Sequence, residues 1–210
     1  MRGISPTDST TDVKSSKVWG LVVAGYSTAV AGLIAFLTIN GASGTPTSAV
    51  IGTAGLLTMG LLLPAAGMLL LRRSVNSNRG AAKLGFTTLG FGLIGLYLGV
   101  VLVYFESSLS GLLVSAFLLV ASSALAMVGA IFLRRLYIST GGSKTKGVGY
   151  LILGTALLFS GVGLIVGSKI AFFNLIPQLE SIVYMDVGAT VSAYGCVLAA
   201  YSFFVLHHSR

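Results

Sequence analysis

Residues 111–133 of the chain read GLLVSAFLLVASSALAMVGAIFL, and the basic pair Arg134 and Arg135 follows directly. The stretch holds no charged side chain, and it exceeds the roughly 20 apolar residues that a helix needs to cross the hydrocarbon core of a bilayer. A membrane-spanning β-strand would be shorter, with apolar and polar residues in alternation. The stretch therefore predicts a transmembrane α-helix.

Five further stretches share this character, and the whole composition agrees with them. Of the 210 residues, 55% are hydrophobic and only 9% are charged, whereas a soluble domain carries about 25% charged residues. The sequence predicts an all-α integral membrane protein, with a disordered cytoplasmic tail over residues 1–16 and one six-helix transmembrane domain over residues 17–210. The predicted spans are residues 18–39, 49–71, 85–105, 111–133, 147–167 and 187–206.

The distribution of basic residues along the chain predicts its orientation. Twelve of the 13 lysines and arginines lie in the first tail, in the loops after the second and fourth spans, or at the last residue, and only Lys169 falls on the other side. Loops rich in lysine and arginine stay in the cytoplasm during insertion, so both termini are predicted to be cytoplasmic. The loop residues that decide the topology are Arg72, Arg73, Arg79, Lys83, Arg134, Arg135, Lys144 and Lys146.

Two prolines mark irregular places in this pattern. Pro64 lies inside the second span, where a proline removes a backbone hydrogen bond, so we expect a helix kink there. Residues 170–184 are semi-apolar but too short and interrupted for a seventh span. They predict an interfacial or re-entrant segment, broken near Pro177.

The three successive pairs of spans resemble one another. The pairs begin near Gly25, Gly85 and Gly149, each followed by an aromatic residue, and they end near the doubled basic or histidine residues after positions 71, 133 and 206. This pattern predicts three tandem helical hairpins in parallel repeat, built about an axis along the membrane normal. Chance similarity between glycine- and leucine-rich spans is the alternative.

Two pairs of glycines stand at GxxxG spacing, Gly95 with Gly99 and Gly163 with Gly167. This spacing places both glycines on one helix face, where the absence of side chains lets another helix approach closely. We expect both pairs to serve helix packing inside the bundle. Contact with another chain is the alternative.

Hydroxyl residues recur in the spans, and they either line a polar path or bond to the backbone of their own helix. They are Ser27, Thr28, Thr58, Thr87, Thr88, Ser122, Ser123, Ser160, Thr190 and Ser192. No charged residue or histidine lies in the middle of a predicted span, so we expect no ion-coupled transport. The single cysteine, Cys196, is expected to be a small packing residue.

The chain contains no G-x-S-x-G, H-E-x-x-H or P-loop sequence, and we therefore expect no enzyme. No catalytic residue, metal site or cofactor is predicted, although bound lipids are expected. The expected function is that of a non-catalytic structural or accessory subunit that packs against partner membrane proteins. The alternative is a small channel or facilitator for a neutral or lipidic solute.

The expected partners are membrane lipids and either other integral membrane subunits or further copies of this chain. The net charge of +8 lies in short loops beside apolar stretches, so we expect no nucleic acid partner. The sequence predicts a multi-pass protein of the plasma membrane in a prokaryote, with an organelle membrane as the alternative.

Overall fold

The computed structural model describes residues 8–40, 46–75, 80–105, 108–138, 143–174 and 178–208, and these residues form six long α-helices. All six are long and apolar enough to cross a membrane. The prediction of an all-α, multi-pass membrane protein is therefore confirmed. The helices are α1 (Asp8–Asn40), α2 (Thr47–Ser74), α3 (Gly80–Phe105), α4 (Leu109–Ile138), α5 (Ser143–Asn174) and α6 (Gln178–His208).

Several helices run beyond the predicted spans. α1 begins at Asp8, so part of the tail that the sequence predicts to be disordered is helical, and no glycine or proline stands between Pro6 and Gly20 to end the helix. Most of the segment 170–184, predicted to be interfacial or re-entrant, belongs to α5 and α6, while Pro177 lies outside the described residues. The position of this segment relative to the membrane surface stays a prediction.

The six helices pack as three antiparallel hairpins, α1 with α2, α3 with α4, and α5 with α6. Further contacts join α2 to α3, α4 to α5, and α6 back to α1, and α3 also touches α5. The first and last helices are therefore neighbours, and the bundle is a closed ring.

Small residues recur at every seventh position on the buried face of each helix. A strict seven-residue repeat keeps one face of a helix turned toward its partner in a left-handed supercoil, and small side chains allow a close approach. The positions are Gly25 and Gly32 in α1; Thr53, Gly60 and Gly67 in α2; Gly85, Gly92 and Gly99 in α3; Ser115, Ser122 and Gly129 in α4; Gly147, Gly154, Gly161 and Ser168 in α5; and Gly188, Gly195 and Ser202 in α6.

At several of the glycine positions the backbones come so close that no side chain fits between them. A Cβ atom placed on Gly154 would lie 2.7 Å from the backbone nitrogen of Ala199 and 2.7 Å from the carbonyl oxygen of Gly195. A Cβ placed on Gly129 would lie 2.7 Å from the backbone nitrogen of Leu89. Backbone atoms cannot rotate out of the way as a side chain does, so glycine is required at these crossings.

Pro64 lies inside the continuous helix α2 and is buried. Its ring packs against Gly25 of α1, where a Cβ would lie 2.7 Å from the Cγ atom of Pro64. The neighbouring Gly60 is also a contact residue, because a Cβ there would lie 2.5 Å from the backbone nitrogen of Ala29. Both residues thus belong to the α1–α2 interface, and the predicted kink at Pro64 stays a prediction.

An aromatic seam closes the ring between α1 and α6. The ring of Phe203 lies 5.3 Å from that of Trp19 and 6.3 Å from that of Tyr26, measured between centroids. The imidazole of His207 stacks on Trp19 at 6.2 Å. These separations fall in the range of favourable aromatic pairing, and the seam lies at the end of the bundle where α1 begins and α6 ends.

The outer surface of the bundle is apolar. Phe117, Val120 and Ile51 are exposed over 75%, 68% and 67% of their surfaces, and only 33% to 44% of the residues in each spanning window are buried inside the bundle. A water-soluble monomer rarely exposes so much contiguous apolar surface. This surface matches the hydrocarbon of a bilayer.

Candidate functional site

A cavity of about 300 Å³ lies inside the ring, in the half where α5 ends and α6 begins. Helices α1, α2, α5 and α6 form most of its wall, and α3 contributes Val100. The aromatic seam is in the opposite half of the bundle. The ring is therefore closed by aromatic contacts at one end and holds open space toward the other.

One face of α5 runs along the whole cavity. Leu158, Val162, Val166 and Lys169 all line it, and their spacing of three or four residues places them in one row along a helix. At 1.5 Å of rise per residue, the row from Leu158 to Lys169 is about 16 Å long. Because the α5 span is Lys146–Ile170, the cavity extends from the middle of the span to its end.

The wall of the cavity is almost entirely hydrocarbon. From α1 it receives Ala29, Leu33 and Phe36, and from α2 it receives Leu57 and Leu61. Such a space suits an apolar molecule, because a polar solute would lose its hydration there without gaining hydrogen bonds.

Three lining residues carry polar or reactive atoms. The hydroxyl of Ser192 donates a hydrogen bond to the carbonyl oxygen of Leu158 at 3.3 Å, which ties α6 to α5. Cys196 is a free, fully buried cysteine, and its role as a small packing residue stays a prediction. The third is Lys169, half-buried at the end of the row on α5.

Most of the hydroxyls proposed as a polar path instead bond to their own helix. Ser27 donates to the carbonyl of Val23 at 2.9 Å, and Thr87 donates to the carbonyl of Lys83 at 2.6 Å. The same pattern holds for Thr28, Thr88, Ser122, Ser123 and Thr190. Of the hydroxyl residues proposed from the sequence, Ser192 is the one that lines the cavity in the described part of the chain.

The two GxxxG pairs occupy different surroundings. A Cβ on Gly95 would lie 3.1 Å from the Cβ of Ser122, and a Cβ on Gly99 would lie 2.9 Å from the Cγ of Leu119, so this pair faces α4. Around Gly163 and Gly167, no described atom outside their own helix lies within 4 Å of such a Cβ. Both are exposed on the outer face of α5.

The topology-determining residues that the structure describes lie at one end of the bundle. Arg72 and Arg73 are in the last turn of α2, Lys83 is in the first turn of α3, and Arg134 and Arg135 stand near the end of α4. Lys144 and Lys146 are in the first turns of α5, and Arg79 lies outside the described residues. Lys169 is at the opposite end.

Sequence reasoning missed the cavity and the seven-residue spacing of small residues. The spacing is visible in the sequence, as in Gly147, Gly154 and Gly161, and a search at seven rather than four residues would have found it. The sequence gives a weaker signal for the cavity. Lys169 stands at the end of an apolar row of residues on α5, and such a row is common in membrane spans. Within the described residues, no cluster of histidine, cysteine or acidic side chains could hold a metal ion.

Comparisons of this chain with protein-family models, with curated proteins and with solved structures gave no match. The cavity and the outer faces of the helices are therefore the features from which a function is inferred.

Proposed function

We propose that this chain is a non-catalytic membrane protein that takes a lipidic solute into its interhelical cavity, as a small facilitator or binding protein. The apolar cavity of about 300 Å³, which reaches the middle of the bundle, carries the proposal. Ligand pockets have volumes of roughly 300–1,000 Å³ and mostly apolar walls. The sequence alone favours an accessory subunit, whereas the cavity favours a facilitator or binding protein.

The distribution of polar groups supports a lipidic solute over an ion or a polar one. Side chains such as Ser27 and Thr87 have their hydroxyls bonded to helix carbonyls, so they offer little to a hydrated solute. The predicted spans carry no charged residue or histidine in their middle, and this argues against coupling to a proton or sodium gradient. A non-catalytic role is supported by the state of Ser192 in the cavity wall. Its hydroxyl already donates a hydrogen bond to the carbonyl oxygen of Leu158.

The test fills the cavity without changing the outer surface. Val162→Trp places a large ring at a residue that is 6% exposed and lines the cavity, whereas Val120→Trp makes the same change on the outer face of α4. Radiolabelled dodecanol is titrated onto the full chain in nanodiscs of zwitterionic lipid, with empty nanodiscs subtracted. We expect saturable binding that Val162→Trp weakens by about tenfold or more, because the ring takes the space of the ligand.

The Val120→Trp variant is expected to bind dodecanol as the unmodified chain does. Gel filtration of both variants checks that they remain folded and monodisperse. Binding that is not saturable, or that both tryptophan variants change equally, would exclude the cavity as a solute site.

A second candidate, the accessory subunit, is favoured by the outer face of α5. Gly163 and Gly167 are exposed there, and small residues at this spacing let a helix of another chain approach closely. Purification in mild detergent separates the two candidates. A second membrane protein in fixed stoichiometry, lost on Gly163→Leu, would favour the subunit.

The proposed orientation places both termini in the cytoplasm. It is supported by the arginines and lysines at one end of the bundle, such as Arg72 and Arg134, because basic loops are retained in the cytoplasm. Single cysteines at Asn76 and Ser143, in a chain with Cys196→Ser, are expected to resist an impermeant thiol reagent in intact cells and to react after lysis. Labelling of both sites before lysis would reverse the orientation.

We further propose that the three hairpins arose as a tandem repeat. Gly25 with Tyr26 and Gly85 with Phe86 are buried pairs at equivalent places in the first two hairpins. In the third hairpin the buried pair is Gly147 with Val148, whereas Gly149 and Tyr150 are exposed. The repeat is therefore better aligned through Gly147 than through Gly149.

A further inference from the structure

The cavity is bordered on one side by two helices that diverge. α2 and α3 are neighbours in the ring, and they touch in the half of the bundle where α2 ends and α3 begins. There a Cβ atom on Gly90 of α3 would lie 3.2 Å from the Cγ of Leu69 and 3.3 Å from the carbonyl oxygen of Ala65. In the other half, which holds the cavity, each of the two helices packs against a different partner.

In the cavity half, α2 is held by α1 and α3 is held by α4. A Cβ on Gly32 of α1 would lie 3.0 Å from the backbone nitrogen of Leu57 in α2. A Cβ on Gly99 of α3 would lie 2.9 Å from the Cγ of Leu119 in α4. Leu57 of α2 and Val100 of α3 both line the cavity, so the two helices that diverge also carry part of its wall.

The burial of side chains along α2 follows this divergence. Residues seven apart point in almost the same direction from a helix, so Ala65, Thr58 and Ile51 share the face that meets α3. Ala65 is 1% exposed, Thr58 is half-buried, and Ile51 is 67% exposed. Thr53 stands near the depth of Ile51, seven residues before the α1 contact Gly60, yet it is only 7% exposed. The exposure of Ile51 therefore reflects its distance from α3 and not its place near a helix end.

We propose that the gap between α2 and α3 is a lateral portal, through which a solute dissolved in the membrane enters the cavity without passing through water. This inference rests on the proposed function, since it names the source of the solute and its route to the same cavity. Ala54 marks the edge of the portal. It is exposed, and it precedes the cavity-lining Leu61 by seven residues, so it stands where the lipid-facing surface of α2 passes into the cavity wall.

The border of the portal suits a solute from the hydrocarbon phase. Ile51, Ala54, Leu57 and Val100 present hydrocarbon side chains, and Thr58 adds a single hydroxyl. A polar solute would lose its hydration at such a border, whereas a long alkyl chain is already concentrated in the bilayer beside it. The expected substrate class is therefore an apolar molecule of the leaflet that faces the start of α2, which is the outer leaflet in the proposed orientation.

The competing explanation is that the solute enters at the end of the cavity, where α5 ends and α6 begins. The two routes differ in how they respond to a bulky side chain at the edge of α2. A solute that enters laterally must pass this side chain in both directions. Association and dissociation then slow by the same factor, and the affinity stays unchanged, because a barrier shared by both directions does not alter an equilibrium. A solute that enters at the end does not meet the side chain.

The test measures exchange rate and affinity in one sample. Dodecanol with a terminal trifluoromethyl group is titrated onto the full chain in nanodiscs of zwitterionic lipid. Fluorine NMR gives the bound fraction from the signal areas and the exchange rate from saturation transfer between the bound and lipid-dissolved signals. We expect Ala54→Trp to slow association and dissociation by about tenfold each, and to leave the dissociation constant within about twofold of that of the unmodified chain.

Ala66→Trp is the matched control, because Ala66 is also an exposed alanine of α2 but lies in the half where α2 and α3 touch. We expect it to change neither the exchange rate nor the affinity. Ile51→Trp, one turn before Ala54, is a second variant at the portal and is expected to slow the exchange in the same way. An unchanged affinity in each variant also shows that the variant is folded.

An exchange rate that Ala54→Trp and Ile51→Trp both leave unchanged would overturn the portal and leave the proposed function intact. Equal slowing by Ala66→Trp would do the same, because the effect would then not depend on position. A loss of affinity without slower dissociation in Ala54→Trp would also overturn the portal, since the new ring would then occupy the cavity itself. The lack of a saturable bound signal in the unmodified chain, or a bound signal that Val162→Trp does not weaken, would instead reject the proposed function.

Discussion

Gly154→Leu is expected to lower the melting temperature of the detergent-solubilised chain by about 6–12 °C, or to prevent its accumulation in folded form. The Cβ atom of a new side chain would stand 2.7 Å from the backbone nitrogen of Ala199 and 2.7 Å from the carbonyl oxygen of Gly195. Overpacking of this kind costs about 3 kcal/mol where neighbours cannot yield. In a chain of this size, each 1 kcal/mol lowers the melting temperature by about 2–4 °C.

Gly163→Leu provides the matched control on the same helix. Gly163 is nine residues beyond Gly154, which places it on the opposite face of α5, and no described atom outside the helix lies within 4 Å of a Cβ built there. We expect its melting temperature to change by no more than about 2 °C, since an exposed substitution alters stability by about 0.5 kcal/mol or less. Melting is followed by fluorescence or by aggregation in one detergent. Similar melting of the two variants would mean that α5 and α6 do not cross at Gly154.

Phe203→Ala is expected to lower the melting temperature by about 8 °C. Phe203 is fully buried and contacts both Trp19 and Tyr26. In a membrane, removal of the ring does not cost a free energy of transfer from water, because lipid is as apolar as the protein interior. What is lost is packing and aromatic pairing, and with the cavity left behind this amounts to about 2–3 kcal/mol.

Phe204→Ala is the control for this prediction, because Phe204 is the adjacent residue and is 51% exposed. We expect it to melt within about 2 °C of the unmodified chain. A second readout is crosslinking between cysteines introduced at the facing residues of α1 and α6, which should decrease in Phe203→Ala alone. Equal melting of the two alanine variants, with unchanged crosslinking, would remove the seam as the contact that closes the ring.

The number and identity of the helices could be predicted from sequence because lipid imposes a simple rule. A run such as residues 111–133 has no other stable environment than a bilayer, so its length and composition are sufficient. Helix ends are less well determined. Residues 8–16 are polar, and polarity alone does not separate a helix that continues past the membrane from a tail without structure.

The packing positions were predictable only in part. The GxxxG spacing singled out Gly95 and Gly99, which face α4, but it gave Gly163 the same weight. Four-residue spacing describes any helix stripe, whereas partners in a left-handed antiparallel pair meet at every seventh residue. Gly154 and Gly161 obey the longer period, and Gly163 does not.

The cavity could not be predicted from sequence for a different reason. Its wall combines residues from five helices, such as Ala29, Val100 and Ser192, and none of these three is unusual in a membrane span. Open space arises from the relative placement of helices and not from the identity of one residue. Lys169 was noticed only as the basic residue on the less basic side.

The aromatic seam has a consequence for the order in which the protein is made. Trp19 emerges from the ribosome early, but its partners Phe203 and His207 belong to the last helix. At typical synthesis rates of 5–20 residues per second, α1 waits roughly 10–40 s for α6. Throughout that time the face of α1 that carries Trp19 and Tyr26 is available to lipids, to insertion factors or to other nascent chains. Final closure is therefore a late step of biogenesis, and a chain interrupted before α6 presents that face permanently.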